Sequence, residues 1–184
     1  MELVNKASCS NDFGLRKRFP WTGIQNHTPW LEDATDSEMS HILLMHGLRG
    51  SVKRIQNPYL WARYMLQYEE LKAESKNVSE RIVIHATSNA NALKIADENF
   101  NWRFVCRDKF GHGVSFAKHA AYAKRHAQHK NVYIIAGILV SEISEGNRNT
   151  IIPPGDCDTT VDFTYGNVYV KYYDNEFYPY YIVQ

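Results

Sequence analysis

Apolar residues along this chain fall first into helical spacing and later into strands. After a polar stretch broken by Gly14, Pro20, Gly23 and Pro29, a first helix is predicted to start at Asp36 or Ser37, either of which can cap it. It runs through Ile42, Leu43 and Met45 and stops before Gly50. Asn57-Pro58 opens the clearest helix, with asparagine as cap and proline at the first helical position. Leu60, Trp61, Tyr64, Met65, Tyr68 and Leu71 then recur on one face, with Glu69, Glu70 and Lys72 off it. Ile82-Val83-Ile84-His85-Ala86-Thr87 reads as a buried strand ending in a histidine. A helix from about Asn89 to Glu98 turns Ala92, Ile95 and Ala96 inward, and another covers roughly Lys118 to His129. Between them, Phe110-Gly111-His112-Gly113-Val114-Ser115-Phe116-Ala117 is a glycine-punctuated loop running into an apolar strand. Val132, Ile134, Ala136, Ile138 and Val140 alternate among residues that are themselves largely apolar, which predicts a strand covered on both faces. Pro153-Pro154-Gly155 marks a loop, and strands over Val168–Tyr172 and Tyr180–Val183 flank turn residues at Asp174-Asn175 and Pro179. Helices first, strands late and short connections predict an α+β domain.

Composition narrows this picture. A length of 184 residues suits one domain, here residues 37–184, with residues 1–36 as an arm docked on it through Trp21 and Trp30. Lys plus Arg (21) nearly cancels Asp plus Glu (20), so bulk charge does not indicate nucleic-acid binding. Cys9, Cys106 and Cys157 are odd in number and widely separated, supporting neither a zinc site nor a disulfide framework. Reduced thiols, no signal pattern and no apolar run near ~18 residues point to an intracellular chain, cytoplasmic or nuclear, without a membrane span.

Several residues carry candidate chemistry with a plainer reading beside it. His85 is either a satisfied core histidine or a pocket residue. His119, Tyr122/Ala123 and His126 share one helix face with His129 nearby, which is either a cleft-facing or solvated surface or a metal site lacking its remaining ligands. Gly111 and Gly113 serve either a tight turn or a phosphate loop, though no helix N-terminus of the right kind follows them. Lys124, Arg125 and Lys130 form a small basic patch that either keeps the protein soluble or meets phosphates. The C-terminal tyrosines read as sheet packing rather than an RNA-stacking platform, because basic residues are scarce among them.

Six segments in register resemble one family. Arg54-Ile55-Gln56-Asn57-Pro58-Tyr59-Leu60-Trp61 with Tyr64, then Glu80-Arg81 into His85-Ala86-Thr87, come first. Asn99-Phe100-Asn101-Trp102-Arg103 and Gly111-x-Gly113 with Phe116-Ala117 come next. Pro153-Pro154 with Val161-Asp162, and Asp174 through Tyr178-Pro179-Tyr180-Tyr181-Ile182, complete the set. This order and spacing, over about residues 36–184, resembles the PARP-type (diphtheria-toxin-like) ADP-ribosyltransferase catalytic domain, most closely the branch that carries CCCH zinc fingers. The resemblance implies two packed, mostly antiparallel sheets with flanking helices, holding NAD in a cleft between them. It implies cleavage of the nicotinamide–ribose bond and passage of ADP-ribose to an acceptor side chain. The family's parts are a histidine on the adenosine ribose, a glycine whose backbone pairs with the carboxamide, and a tyrosine beside the nicotinamide ribose. A serine on the carboxamide and a second tyrosine stacked on the nicotinamide complete the pocket. A third triad position is glutamate in chain-elongating members and apolar in mono-transferases.

Carried onto this chain, the histidine is His85 with Thr87 beside it, the glycine is Ala86, and the triad tyrosine is Ser115, followed by Phe116. The carboxamide serine falls on Ala123, the stacking tyrosine on His126 and the third triad position on Val168. The donor loop between Arg103 and Phe110 is short and has no glycine. Losing the tyrosine contact, the serine bond and part of the stacking amounts to roughly 3–5 kcal/mol, or about 10²–10⁴ in binding or rate if the terms add. The expectation is a divergent PARP-like domain with weak or no NAD-dependent transfer, acting as a structural or protein-interaction module. The alternative is an active mono-ADP-ribosyltransferase that uses NAD and modifies a protein acceptor without building polymer. A further non-enzymatic class is binding of ADP-ribose or RNA ends in the same cleft.

Overall fold

The computed structural model describes residues 30–74, 76–105, 108–127 and 131–184. Trp21, Cys9, Cys106, His129 and Lys130, and with them most of the expected N-terminal arm, lie outside the described residues. The strands are β1 (Trp30–Asp33), β2 (Val52–Gln56), β3 (Ser79–Thr87), β4 (Val114–Ala117), β5 (Val132–Val140), β6 (Ile143–Glu145), β7 (Thr159–Val161), β8 (Val168–Lys171) and β9 (Phe177–Val183). The helices are α1 (Asp36–His46), α2 (Pro58–Ala73), α3 (Asn89–Glu98) and α4 (Ala120–His126). Residues 30–33, assigned to the arm on sequence, pair antiparallel with β2 as the sheet's first strand.

The α+β expectation holds, with a difference in how the strands join. They form one nine-stranded order, β1-β2-β9-β5-β3-β4-β8-β7-β6. Every neighbouring pair is antiparallel except β6 and β7. The two sheets implied by the resemblance are two wings of this order. β3 and β5 pair along their whole length, whereas β3 and β4 meet at Ile84↔Ala117 alone.

Alternation along the central strands explains the covering of both faces. Ile134, Ala136, Ile138 and Val140 of β5 pack with Val83, Ala92, Phe100, Phe116 and Phe177. The intervening Ile135 and Leu139 pack on the opposite side with Ile42, Trp61, Tyr64 and Tyr178. Pro179, expected in a turn, lies inside β9 opposite Ala136, where the register shifts between Ile135 and Ala136. A residue that cannot donate to the ladder is tolerated at such a bulge. Tyr178, Tyr180 and Tyr181 are buried, and each hydroxyl donates inward, to Ile55 O (3.1 Å), Glu80 Oε1 (2.7 Å) and Glu38 Oε1 (3.1 Å).

Local sequence sets the helix ends. Thr35 caps α1, one residue before the expected start, because it forms a reciprocal capping box. Its Oγ1 accepts from Glu38 N at 3.3 Å, while the Glu38 carboxylate accepts from Thr35 N at 2.9 Å. The helix closes at Gly47 rather than running toward Gly50. Asn57 caps α2 as expected, accepting from Leu60 N at 3.1 Å. α4 is shorter than predicted at its start: Lys118 N donates to Asn167 O (2.9 Å), and His119 is extended at φ −131°, so helical backbone begins at Ala120.

Two acidic clusters sit in the interior. Glu80 Oε1 accepts from both Tyr64 Oη (2.9 Å) and Tyr180 Oη (2.7 Å). Lys171, fully buried, lies 3.0 Å from Asp158 Oδ1 and 2.7 Å from Glu176 Oε2, and donates to Thr159 Oγ1 at 2.9 Å. Asp158 also accepts from Ser141 N (2.9 Å) and from the Ser141 and Thr159 hydroxyls. Burial alone would raise the Asp158 carboxyl, but Lys171 and these hydroxyls hold it below the ordinary range.

Candidate functional site

The cleft opens where the two wings part. Past the single pair Ile84↔Ala117 the β3–β4 ladder stops, and a side chain bridges the gap: His85 Nδ1 lies 3.1 Å from Ser115 O. A carbonyl oxygen only accepts, so Nδ1 carries the hydrogen in this contact. Edge-to-face packing on Phe100 (centroids 5.3 Å apart) and Phe116 (6.0 Å) fixes the imidazole orientation. His85 is therefore a half-buried, oriented wall residue of a cavity, not a residue of the closed core.

That cavity has a volume of about 730 Å³, within the ~300–1,000 Å³ typical of small-molecule sites. His85, Ala86, Thr87, Ser115, Phe116, Ala123, His126 and Val168 all line it. Three adjacent strands supply the residues expected at the triad positions: His85 from β3, Ser115 from β4 and Val168 from β8, with Val168 registered opposite Ala117. Helix α4 supplies one wall, where Ala123 is buried and the rings of Tyr122 and His126 lie 4.3 Å apart at 38°. Side chains of the described residues do not fill the cleft. The residues at the expected nicotinamide end bring a short hydroxyl, two aliphatic groups and an imidazole.

The glycines before β4 serve close approach. Gly111 has φ +129°, and a Cβ there would run into the Tyr172 hydroxyl; at Gly113 it would run into the Lys171 carbonyl. The chain passes from these glycines directly into strand β4, so this is a turn packed against β8 and its end, without the helix start a phosphate loop needs. Past α3, Asn99 takes φ +76° and its amide donates to Asp174 O and Phe177 O, both at 3.2 Å, tying the donor-loop entry to the end of the sheet. The loop's residues 106 and 107 lie outside the described residues.

Sequence reasoning missed a polar wall. Asn91, Lys94 and Glu98 of α3, with Asn99, Asn101 and Lys109, also line the cavity. The spacing of Asn91, Lys94 and Glu98 places them on one helix face, so the stripe was readable as such, but not its position beside His85. Among the described residues no group of three or more His, Cys, Asp or Glu side chains is arranged to hold a metal ion. Among them, too, no helix is long and apolar enough to cross a membrane.

No family model matches the chain. Individual relatives do. The mouse protein mono-ADP-ribosyltransferase PARP12 is 29% identical over 149 residues, covering 72% of this chain and 21% of the relative. Human PARP14 and mouse PARP11, also named protein mono-ADP-ribosyltransferases, are 25% and 26% identical over 151 and 167 residues. Each match covers 72% of this chain, with 8% of PARP14 and 50% of PARP11. The chain thus spans about a fifth of the length of the PARP12 relatives. With an α+β sheet of two wings, a cleft at their parting and these similarities, the chain is a divergent relative of the PARP catalytic domain, of the ADP-ribosyltransferase fold.

Proposed function

We propose that this domain retains the adenosine-facing half of a PARP cleft and has lost the nicotinamide-facing half. On this reading it binds an adenosine-diphosphate ligand such as NAD, transfers ADP-ribose weakly or not at all, and serves as a structural or protein-interaction module. The observation that carries the reading is the asymmetry of one open cavity. His85 is oriented at the cavity wall by Ser115 O and two phenylalanines, at the position that the resemblance gives to the adenosine ribose. Ser115 and Ala123 line the same cavity and lack the ring and the hydroxyl that the family resemblance implies at the nicotinamide end. Losing these two contacts together with part of the stacking at His126 weakens transition-state binding by roughly 3–5 kcal/mol if the terms add, enough to suppress turnover without closing the site to a ligand.

A second reading, active mono-ADP-ribosylation, is favoured by the paired Tyr122 and His126 rings, which offer aromatic surface at the nicotinamide end. An apolar Val168 also suits transfer of a single unit. The relatives' names describe that activity.

Calorimetric titration with NAD, paired with a labelled-NAD automodification assay, separates the two. Binding by the native protein that His85→Ala removes, with little label transfer, supports the first reading. So does a gain in transfer of about 10²-fold or more in the Ala86→Gly, Ser115→Tyr, Ala123→Ser, His126→Tyr variant. Label transfer by the native protein as fast as by that variant would establish the second reading instead.

A further inference from the structure

We propose that Lys94 and Lys109 form a diphosphate-gripping pair in the cleft, positioning residues that make the site selective for diphosphate-bridged nucleotides over neutral nucleosides. The inference rests on the adenosine-diphosphate reading above and assigns its charged contact. Both lysines line the cavity that His85 lines, Lys94 from α3 and Lys109 from the turn before β4. Both side chains are exposed, and neither makes an ion pair with another described residue. Lys109 Nζ rests 4.9 Å from the centroid of the Phe110 ring, itself part of the cavity wall, so an aromatic face holds the cation toward the cleft.

The remaining charges do not cancel the pair. Glu98 is the only carboxylate among the described lining residues; it lies one turn from Lys94 on α3 and is not within ion-pair distance of it. The other polar groups of this wall, Asn91, Asn99 and Asn101, are neutral. The chain as a whole carries a formal charge of only +1, so two ammonium groups at one cavity are a local feature rather than a sample of a basic surface. Ammonium groups act as point charges on phosphate oxygens, and two of them match the two negative charges of a diphosphate ester. Neither lysine belongs to the six segments that carry the family resemblance.

The test is titration of the full chain with ADP-ribose and with adenosine, at low and high salt, for the native protein, Lys94→Gln, Lys109→Gln and the double variant. Lys72→Gln on the far helix α2 serves as a surface control. The expected result is a loss of ADP-ribose affinity of ~10-fold or more in the double variant, a smaller loss in each single variant, and unchanged adenosine affinity. The native preference for ADP-ribose over adenosine also shrinks with salt, and the double variant loses most of that salt dependence. ADP-ribose binding unchanged in the double variant, or weakened equally for adenosine, would overturn the lysine pair while leaving the cleft reading intact. Failure of the native protein to bind either compound would overturn both.

Discussion

Glu80 illustrates what a single side chain can conceal in a sequence. It stands in a run that continues into the histidine strand, beside an exposed arginine, and nothing in that pattern marks it as buried. In the fold its carboxyl takes two tyrosine hydroxyls on one oxygen, and no described cation pairs with it. Burial pushes it from an ordinary 4.5 up to about 7, with the Tyr180 and Tyr64 hydroxyls pulling the other way. The native state therefore keeps this proton between pH 4.5 and 7, where the unfolded chain has released it. The resulting stabilisation is complete below pH 4.5, declines as pH rises to about 7 and is flat above. The span corresponds to about 3 kcal/mol. Denaturant unfolding of Glu80→Gln at mildly acidic and mildly alkaline pH is expected to show a flatter stability profile than the native protein by most of that amount. Parallel profiles for the two proteins would mean that Glu80 does not titrate in this window. His85, by contrast, was legible, because it ends an apolar strand at a motif position; its orienting bond to Ser115 O was not.

At the scale of elements, the helix starts show how far local chemistry reaches. The Asn57-Pro58 pair announces α2, and its cap bond forms as the sequence predicts. The same side chain does more than the sequence reveals: its Nδ2 donates to Ala96 O (3.0 Å) and Asp97 O (2.8 Å), fastening the start of α2 to the end of α3. Asn57→Ala should therefore cost roughly 2–3 kcal/mol, more than the ~1 kcal/mol of an isolated cap, because two carbonyls also lose their donor. Asn57→Asp keeps the cap acceptor and loses those donors, so its urea midpoint should fall between the native and Asn57→Ala values. An Asn57→Asp midpoint equal to the native one would show that the two donor bonds from α2 to α3 contribute nothing. The α4 start and the Pro179 bulge were illegible for the same reason: a contact from β7–β8 sets one and the register against β5 sets the other, and neither is local.

Across the whole molecule, Lys171, Asp158 and Glu176 fasten parts of the chain that the cleft leaves apart. Lys171 is on β8 in the outer wing, while Glu176 immediately precedes β9 in the other, and its carbonyl accepts from Leu139 N of β5. Burial pushes Glu176 up to about 7 despite the pull of Lys171. Removing the shared cation should be the costly change. Lys171→Met is expected to destabilise the domain by about 3–5 kcal/mol, because it strands buried acids. Glu176→Gln should cost less, since burial already favours the protonated, neutral form of that carboxyl. Thermal or denaturant unfolding orders the two variants, and the reverse order would show that the lysine is not the centre of the cluster.

The sequence by itself determined the α+β class, the order of most elements and the identity of the positions that meet in the cleft. Class and order are set by periods of 2 and 3.6 residues and by caps and turns, while the cleft positions were implied by the family resemblance of short segments. Only the tertiary structure decided that the strands form one sheet parted at Ile84↔Ala117, and that the parting leaves an open cavity with Lys94 and Lys109 beside His85. It alone placed Lys171 between two acids. Periodicity states which face a residue occupies but not what lies across from it. Those neighbours come from strands and helices far away in the chain, whose meeting depends on how both faces of the sheet pack.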